Sequence, residues 1–181
     1  MCALVDFWNA LNLTSTSANA FFALLFTWVG YRAGVSWSRA QADRDRLAER
    51  KSLFDSIDFF VADCVMTLRD GAKELQLSRP PHRPVPVGGI EYFQVQAMRH
   101  SEHDVFVALA TLRAQADQAN TLFPVVVDRF TSAPEQSLAS PERPSILQLH
   151  CRYILNCYEE VRKAAAEVVK VTDASRKRGS R

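Results

Sequence analysis

Residues 39–77 read RAQADRDRLAERKSLFDSIDFFVADCVMTLRDGAKELQL, and the rest of the architecture can be built around them. Apolar side chains recur in this stretch at spacings of three, four and seven: Leu47, Phe54, Ile57, Val61, Val65, Leu68, Ala72 and Leu75. That period predicts one amphipathic α-helix, roughly 58 Å long at about 1.5 Å per residue. Gly71 costs this helix about 1 kcal/mol relative to Ala, so we expect a close helix contact or a bend there.

Two more amphipathic helices follow, separated by polar and proline-bearing connections. The connection at residues 78–89, SRPPHRPVPVGG, stops the first helix, and residues 90–100 fit either a short helix or a strand, with helix favoured. Ser101 is expected to cap the next helix, and Pro124 to kink or end it. Its apolar face would be Val105, Ala108, Leu112, Ala116, Ala119 and Leu122. The face of the last helix would be Ile146, His150, Tyr153, Cys157, Val161, Ala164, Val168 and Val171.

The composition favours an all-α protein with one compact core. The chain has 181 residues, of which 48% are apolar and 23% charged, and its 6 Gly and 8 Pro are too few for a turn-rich all-β fold. Three long amphipathic helices can bury their apolar faces only against each other, which predicts an up-down bundle over residues 38–172. Residues 173–181 would form a basic tail. The net charge of +2 argues against a strongly nucleic-acid-binding surface.

The amino-terminal 37 residues have a different character, which points to a membrane. Residues 7–31 are 25 consecutive residues without a charge, and residues 18–30, ANAFFALLFTWVG, are densely apolar. A membrane-spanning helix needs about 20 such residues. Aromatic side chains that favour lipid headgroup regions stand near both ends: Trp8 at one, and Trp28, Tyr31 and Trp37 at the other. We therefore predict a membrane-interacting segment over residues 1–37, with a single transmembrane helix at about residues 18–37.

Two placements of this helix fit the sequence, and a soluble alternative exists. In the favoured placement residues 4–13 lie in the interface and residues 14–17 begin the helix; in the other, one helix runs over residues 8–31. The arginine-rich stretch after Tyr31 should stay in the cytoplasm, which puts the amino terminus outside and the bundle inside a bacterial inner membrane. In the soluble alternative the uncharged run is a core helix.

A row of small and polar residues in this segment is typical of helices that associate in membranes. The row consists of Asn12, Thr16, Asn19, Ala23, Gly30 and Gly34, together with Asn9, at spacings of three, four and seven. Small residues let two helices approach closely, and amides form hydrogen bonds across the interface. This pattern predicts a homo-oligomer in the lipid bilayer, and with enough copies the polar face could line a water-filled path.

A search for chemistry finds no catalytic set, metal site or cofactor motif. His100 and His103 stand among acidic residues, but they are better explained as a solvated helix start than as a metal site. Arg143 and His150 resemble the Arg-x4-6-His motif of the helical HEPN ribonucleases, but Pro144 follows the arginine, the family's usual polar residue is absent, and a core histidine is favoured. The candidate contacts for anionic lipid or phosphate are Arg79, Arg83, Arg176, Lys177 and Arg178.

These features predict a small single-pass membrane protein that works through interaction instead of catalysis. In outline it is similar to small membrane effectors of bacterial antiviral systems, in which a soluble part senses a trigger and a membrane part disturbs the bilayer. A protein or a nucleotide-like molecule could be that trigger, binding near residues 78–89. The alternatives are a passive membrane anchor or scaffold, and a soluble helical binding or ribonuclease-like module.

Overall fold

The computed structural model describes residues 2–132 and 146–179, and for residues 2–19, 21 and 22 it describes the backbone alone. Within these ranges the chain forms four α-helices and no strand. They are α1 (Cys2–Gln76), α2 (Ile90–Arg99), α3 (His103–Ser132) and α4 (Ile146–Gly179). The prediction of an all-helical protein with a helical bundle is confirmed, and residues 90–99 are helix.

Helix α1 is much longer than the sequence predicts. It is uninterrupted from Cys2 to Gln76, so the expected helix start at residues 14–17 is absent. Ser and Thr are moderate helix formers, and a helix that has already nucleated passes through them at small cost. The chain nevertheless divides into two compact units, Met1–Ala48 and Glu49–Arg181.

The second unit contains the hydrophobic core, to which all four helices contribute. Its largest fully buried side chains include Phe54 and Ile57 from α1, Ile90 from α2, Leu112 from α3 and Ile154 from α4. Burying each of these side chains stabilises the fold by about 1.5–3 kcal/mol before conformational entropy is counted. This unit is therefore the part of the protein that owes its structure to tertiary packing.

The face that α1 turns to the core differs from the predicted one at several positions. Leu47 and Val65, which the periodicity assigned to that face, are exposed, whereas Leu53, Cys64 and Thr67 are buried. Phe54, Ile57, Val61, Leu68 and Leu75 lie in the core as predicted. Where apolar residues follow one another in the sequence, periodicity does not tell which of two neighbouring residues is buried. Packing against α4 and against the loop after α1 selects the buried one.

The close helix contact expected at Gly71 is confirmed. A Cβ atom added to Gly71 would lie 2.9 Å from Cε2 of Tyr158 on α4, which is closer than such atoms approach in proteins. The missing side chain thus lets the tyrosine ring pack directly on the backbone of α1.

Two helices end with serine residues in the left-handed backbone conformation. Ser78, after α1, has φ 55°, and Ser101, after α2, has φ 59°. Around Ser101, the amide of Ser101 donates to the carbonyl of Met98 at 3.0 Å and that of Glu102 donates to Ala97 at 2.8 Å. This is the hydrogen-bond pattern of a Schellman motif. The expected role of Ser101 as the cap that begins α3 is wrong, because the residue terminates α2.

Helices α3 and α4 also extend further than predicted. Pro124 lies inside α3, which continues to Ser132, and the predicted buried residues from Val105 to Ala119 are confirmed. At the start of α4 the predicted face is wrong, since Ile146 and Tyr153 are exposed. At its end, α4 continues to Gly179 through most of the expected basic tail.

Candidate functional site

The first unusual surface is the apolar segment, which we define as residues 23–37 of α1. Leu24 is 70% exposed, Phe26 71% and Trp28 61%, and Leu25, Val29, Tyr31 and Trp37 are exposed as well. Successive helix residues point about 100° apart, so these side chains occupy more than one face of α1. No side chain of the described part of this unit buries the apolar segment.

Polar groups in the apolar segment are largely satisfied within the helix. The hydroxyl of Thr27 donates to the carbonyl of Ala23 at 2.7 Å, and that of Ser36 donates to the carbonyl of Ala33 at 2.9 Å. Arg32 places its guanidinium carbon 5.3 Å from the centre of the Trp28 ring.

Among the described residues, no helix combines the length and the apolar content that crossing a membrane requires.

The predicted association face is described at three of its six positions. Ala23 is exposed, and a Cβ added at Gly30 or Gly34 would meet no atom within 4 Å. No packing among the described residues therefore requires glycine at either position, although each Gly destabilises a helix by about 1 kcal/mol relative to Ala. The side chains of Asn12, Thr16 and Asn19, and that of Trp8 among the predicted interface residues, lie outside the described ones.

The second unusual surface is the charged cluster, which joins α1, α3 and α4 at one end of the second unit. At its centre, Nε of Arg50 donates to Oε1 of Glu102 at 2.6 Å, and Nη2 of Arg50 donates to the carbonyl oxygen of Ser175 at 2.8 Å. The guanidinium also stacks 5.2 Å from the centre of the buried Phe54 ring. Arg50 and Glu102 are mostly buried, so Glu102 is not part of the solvated helix start that the sequence suggests.

The charged cluster also engages two of the predicted anion contacts. Nη2 of Arg176 lies 2.7 Å from Oδ2 of Asp58 and 3.0 Å from Oδ1 of Asp55. Nη2 of Arg178 lies 3.1 Å from Oδ2 of Asp104 at the start of α3. Lys177, between them, is exposed and also has an interaction partner. The basic end of α4 therefore binds to carboxylates of its own chain.

In the connection between α1 and α2, residues 78–89 form a proline-rich loop that is fixed to the bundle. Asn120 of α3 holds it with two hydrogen bonds: the Val85 amide donates to Oδ1 at 2.8 Å, and Nδ2 donates to the Val85 carbonyl at 2.9 Å. Val85 itself is buried. Of the predicted anion contacts here, Arg83 pairs with Asp63 at 3.0 Å, whereas Arg79 is exposed and has no ion-pair partner among the described residues.

Replacing Asn120 with Ala should release this loop. The change leaves the buried backbone amide and carbonyl of Val85 without partners, which costs about 1–3 kcal/mol in unfolding free energy. Chemical denaturation followed by circular dichroism would measure the loss, and hydrogen exchange would localise it to residues 82–88. Gln118→Ala, on the same helix, is the control, and equal stability of the two variants would contradict the anchoring role.

The remaining histidine, cysteine and acidic residues form no metal-binding group in the described part of the chain. No group of three or more His, Cys, Asp or Glu residues there is placed to hold a metal ion. Arg143, the first residue of the ribonuclease-like pair, lies outside the described residues, and Nδ1 of His150 is buried without a hydrogen-bond partner. Burial raises the pKa of the Cys64 thiol to about 12, which leaves it protonated and unreactive at neutral pH.

No protein family, curated protein or solved structure matches the chain. The sequence interpretation missed the pair Arg50 and Glu102. The two residues are 52 positions apart and follow no spacing rule. The sequence offered one signal, which is the acidic residue Glu102 directly after Ser101. An acid at the start of a helix is ordinarily solvated, so its position did not indicate a buried ion pair.

Proposed function

We propose that the protein is a membrane-attached interaction module, held at a lipid bilayer by the apolar segment of α1. The observation that carries this proposal is the exposure of Leu24, Phe26 and Trp28. No described part of the chain covers these three side chains. Exposed apolar side chains of this density mark a surface that contacts lipid or another protein. The absence of charges from residues 7–31 favours lipid.

Charge and aromatic placement support one orientation of the attached protein. Trp28, Tyr31 and Trp37 follow the most apolar residues, and Arg32 stacks on Trp28, as expected of side chains in a headgroup region. Arg39, Arg44 and Arg46 come next along α1. We therefore propose a single pass at about residues 18–37, with the amino terminus outside and the second unit in the cytoplasm of a bacterial cell.

Fractionation of cells that express the full chain with a carboxy-terminal tag tests this proposal. The tagged protein should remain in the membrane pellet after a carbonate wash and dissolve only in detergent. In spheroplasts the tag should resist external protease and become sensitive once the membrane is permeabilised. Release of the protein by the carbonate wash would overturn the proposal, and an accessible tag would reverse the orientation.

Self-association of the anchored helices is part of the proposed function. Gly30 and Gly34 form a Gly-x-x-x-Gly pair, and no neighbour in the part of the chain that the structure describes requires glycine at either position. Replacing both with Leu should abolish association in a membrane-helix dimerisation reporter, because the new side chains hold the helices apart. Val29→Leu and Val35→Leu, which lie off this face, are the matched controls. Unchanged association of the double glycine variant would contradict the assignment.

A membrane-disrupting effector is a second candidate function. It is favoured by the continuity of α1, which puts Asn12, Thr16 and Asn19 in one helical register with Ala23 and Gly30. Clustered helices would then bring polar residues together within the bilayer. Growth arrest and dye leakage on expression, both lost in Thr16→Leu with Asn19→Leu while membrane retention persists, would support the effector over a passive anchor or scaffold. Its trigger would be a protein or a nucleotide-like molecule.

A further inference from the structure

The charged part of the first unit, residues 38–48 of α1, contains one large apolar side chain, and it is exposed. Leu47 is 53% exposed, although its neighbours in the sequence are mostly charged. It belongs to a row of residues at alternating spacings of three and four, which we call the seam: Gly30, Ala33, Trp37, Ala40, Arg44 and Leu47. All six are exposed. This alternation places them along one side of the helix.

We propose that the seam packs against the seam of a second copy of the chain, so that two α1 helices continue side by side from the bilayer to Leu47. The inference rests on the proposed membrane attachment and extends its association face, which shares Gly30 with the seam. Attachment at one depth gives both copies the same direction and the same register. Each residue of the seam then faces its own counterpart, as in a parallel two-stranded coiled coil.

The uncovered length of α1 supports a partner along the seam. Between residues 23 and 48 every residue is exposed except Val35, which is partly buried. Helices in proteins owe most of their stability to the packing of an apolar face, and the described residues of the first unit provide none. A second copy supplies this packing along the whole stretch.

The sizes of the seam residues are compatible with two closely packed helices. Ala33 and Ala40 lie on either side of Trp37 and leave room for the two facing indole rings. Leu47 provides an apolar contact at the last position of the seam. The other charges of this stretch lie off the seam and stay in water; they include Arg39, Asp45 and Arg46.

Charge complementarity favours a second copy in this register. Arg44 is the one charged residue of the seam, and in a parallel pair it packs beside the residue that precedes its counterpart, which is Asp43 of the other copy. Neither Asp43 nor Arg44 has an ion-pair partner among the described residues of its own chain, so both charges are available. The contact occurs twice in a two-fold pair.

Disulfide cross-linking at two matched alanines tests the seam. Ala40→Cys and Ala42→Cys are each made in the full chain with Cys2→Ser and Cys151→Ser, and are oxidised in native membranes. Two packed helices bring their copies of position 40 to a Cα separation of about 5 Å, which permits a disulfide. Position 42 lies about 200° further round the helix, so its two copies are about 14 Å apart. Ala40→Cys should therefore give a covalent dimer at least about tenfold faster than Ala42→Cys. Equal rates, or no dimer from Ala40→Cys, would overturn the seam.

The same membranes separate this result from the proposed attachment, because the carbonate wash is repeated on both cysteine variants. A chain that stays in the pellet and forms no cross-link at position 40 refutes the seam and leaves the attachment intact. A chain that the wash releases refutes the attachment, and with it the common register on which the seam depends.

Charge reversal tests the contact between Arg44 and Asp43. In the chain that carries Ala40→Cys, Arg44→Asp should slow cross-linking about fivefold, because acidic residues then meet twice per pair. Adding Asp43→Arg restores opposite charges and should restore the rate. Arg46→Asp makes the same change of charge off the seam and should leave the rate unchanged. Equal slowing by Arg44→Asp and Arg46→Asp would contradict the register.

Discussion

Replacing Phe26 with Asp should move the protein from the membrane to the soluble fraction. Phe26 lies near the centre of the proposed span and is 71% exposed. Exchanging an apolar side chain for a carboxylate at the centre of a membrane helix costs about 3 kcal/mol, which lowers the membrane-bound to soluble ratio by roughly a hundredfold. A span that already contains Asn19 has little free energy in reserve, so the effect should be nearly complete.

The chain contains its own reporter for this experiment. Its three tryptophans, Trp8, Trp28 and Trp37, all lie in the first unit, so tryptophan emission reports on that unit without background from the bundle. Adding vesicles should shift the emission of the unmodified protein to shorter wavelength and leave that of Phe26→Asp unchanged. Val95→Asp, at a comparably exposed site on α2, should behave like the unmodified protein. Membrane retention of Phe26→Asp would exclude the apolar segment as the lipid contact.

Replacing Arg50 with Met should destabilise the second unit by about 2–3 kcal/mol. The change removes the partner of Glu102 and one hydrogen bond to the carbonyl of Ser175. A mostly buried carboxylate left without its cation must remain desolvated or take up a proton, and both are unfavourable at neutral pH. The midpoint of urea unfolding followed by circular dichroism measures the effect.

Three further variants separate the geometry of this interaction from charge alone. Arg50→Lys keeps the charge but loses the planar guanidinium that donates to both Glu102 and Ser175. Its stability should therefore fall between those of Arg50→Met and the unmodified chain. Glu102→Gln keeps a hydrogen-bond acceptor without the charge and should also be intermediate. Arg99→Met, at an exposed position with no ion-pair partner in the described residues, should have little effect. If Arg50→Met were as stable as Arg99→Met, the cluster would contribute nothing to the fold.

The sequence predicted those parts of the fold that depend on local periodicity. The buried face of α3 from Val105 to Ala119 and the close approach at Gly71 both follow from spacing and intrinsic propensity. The start of α4 was misassigned because Ile146 and Tyr153 fit a helical stripe as well as the residues that are buried, such as Ile154 and Tyr158. Periodicity defines a set of faces, but only packing decides which of two adjacent faces is inside.

The candidate surfaces were predictable to different degrees for the same reason. The apolar segment is a contiguous run, so composition alone locates it. The charged cluster brings together residues from α1, α3 and α4 that are far apart in sequence, and composition assigns Arg176 and Arg178 to a basic tail. A helix that continues to Gly179 presents both arginines to Asp58 and Asp104 instead.

The contact between Gly71 and Tyr158 makes the side chain at position 71 the factor that sets the distance between α1 and α4. A Cβ there would meet the phenol ring at 2.9 Å, so α1 and α4 can keep their present separation only while the position lacks a side chain. A series of Ala, Ser and Val at this position would push the helices apart in graded steps. The unfolding free energy of these variants would show how the stability of the second unit depends on the distance between the two helices.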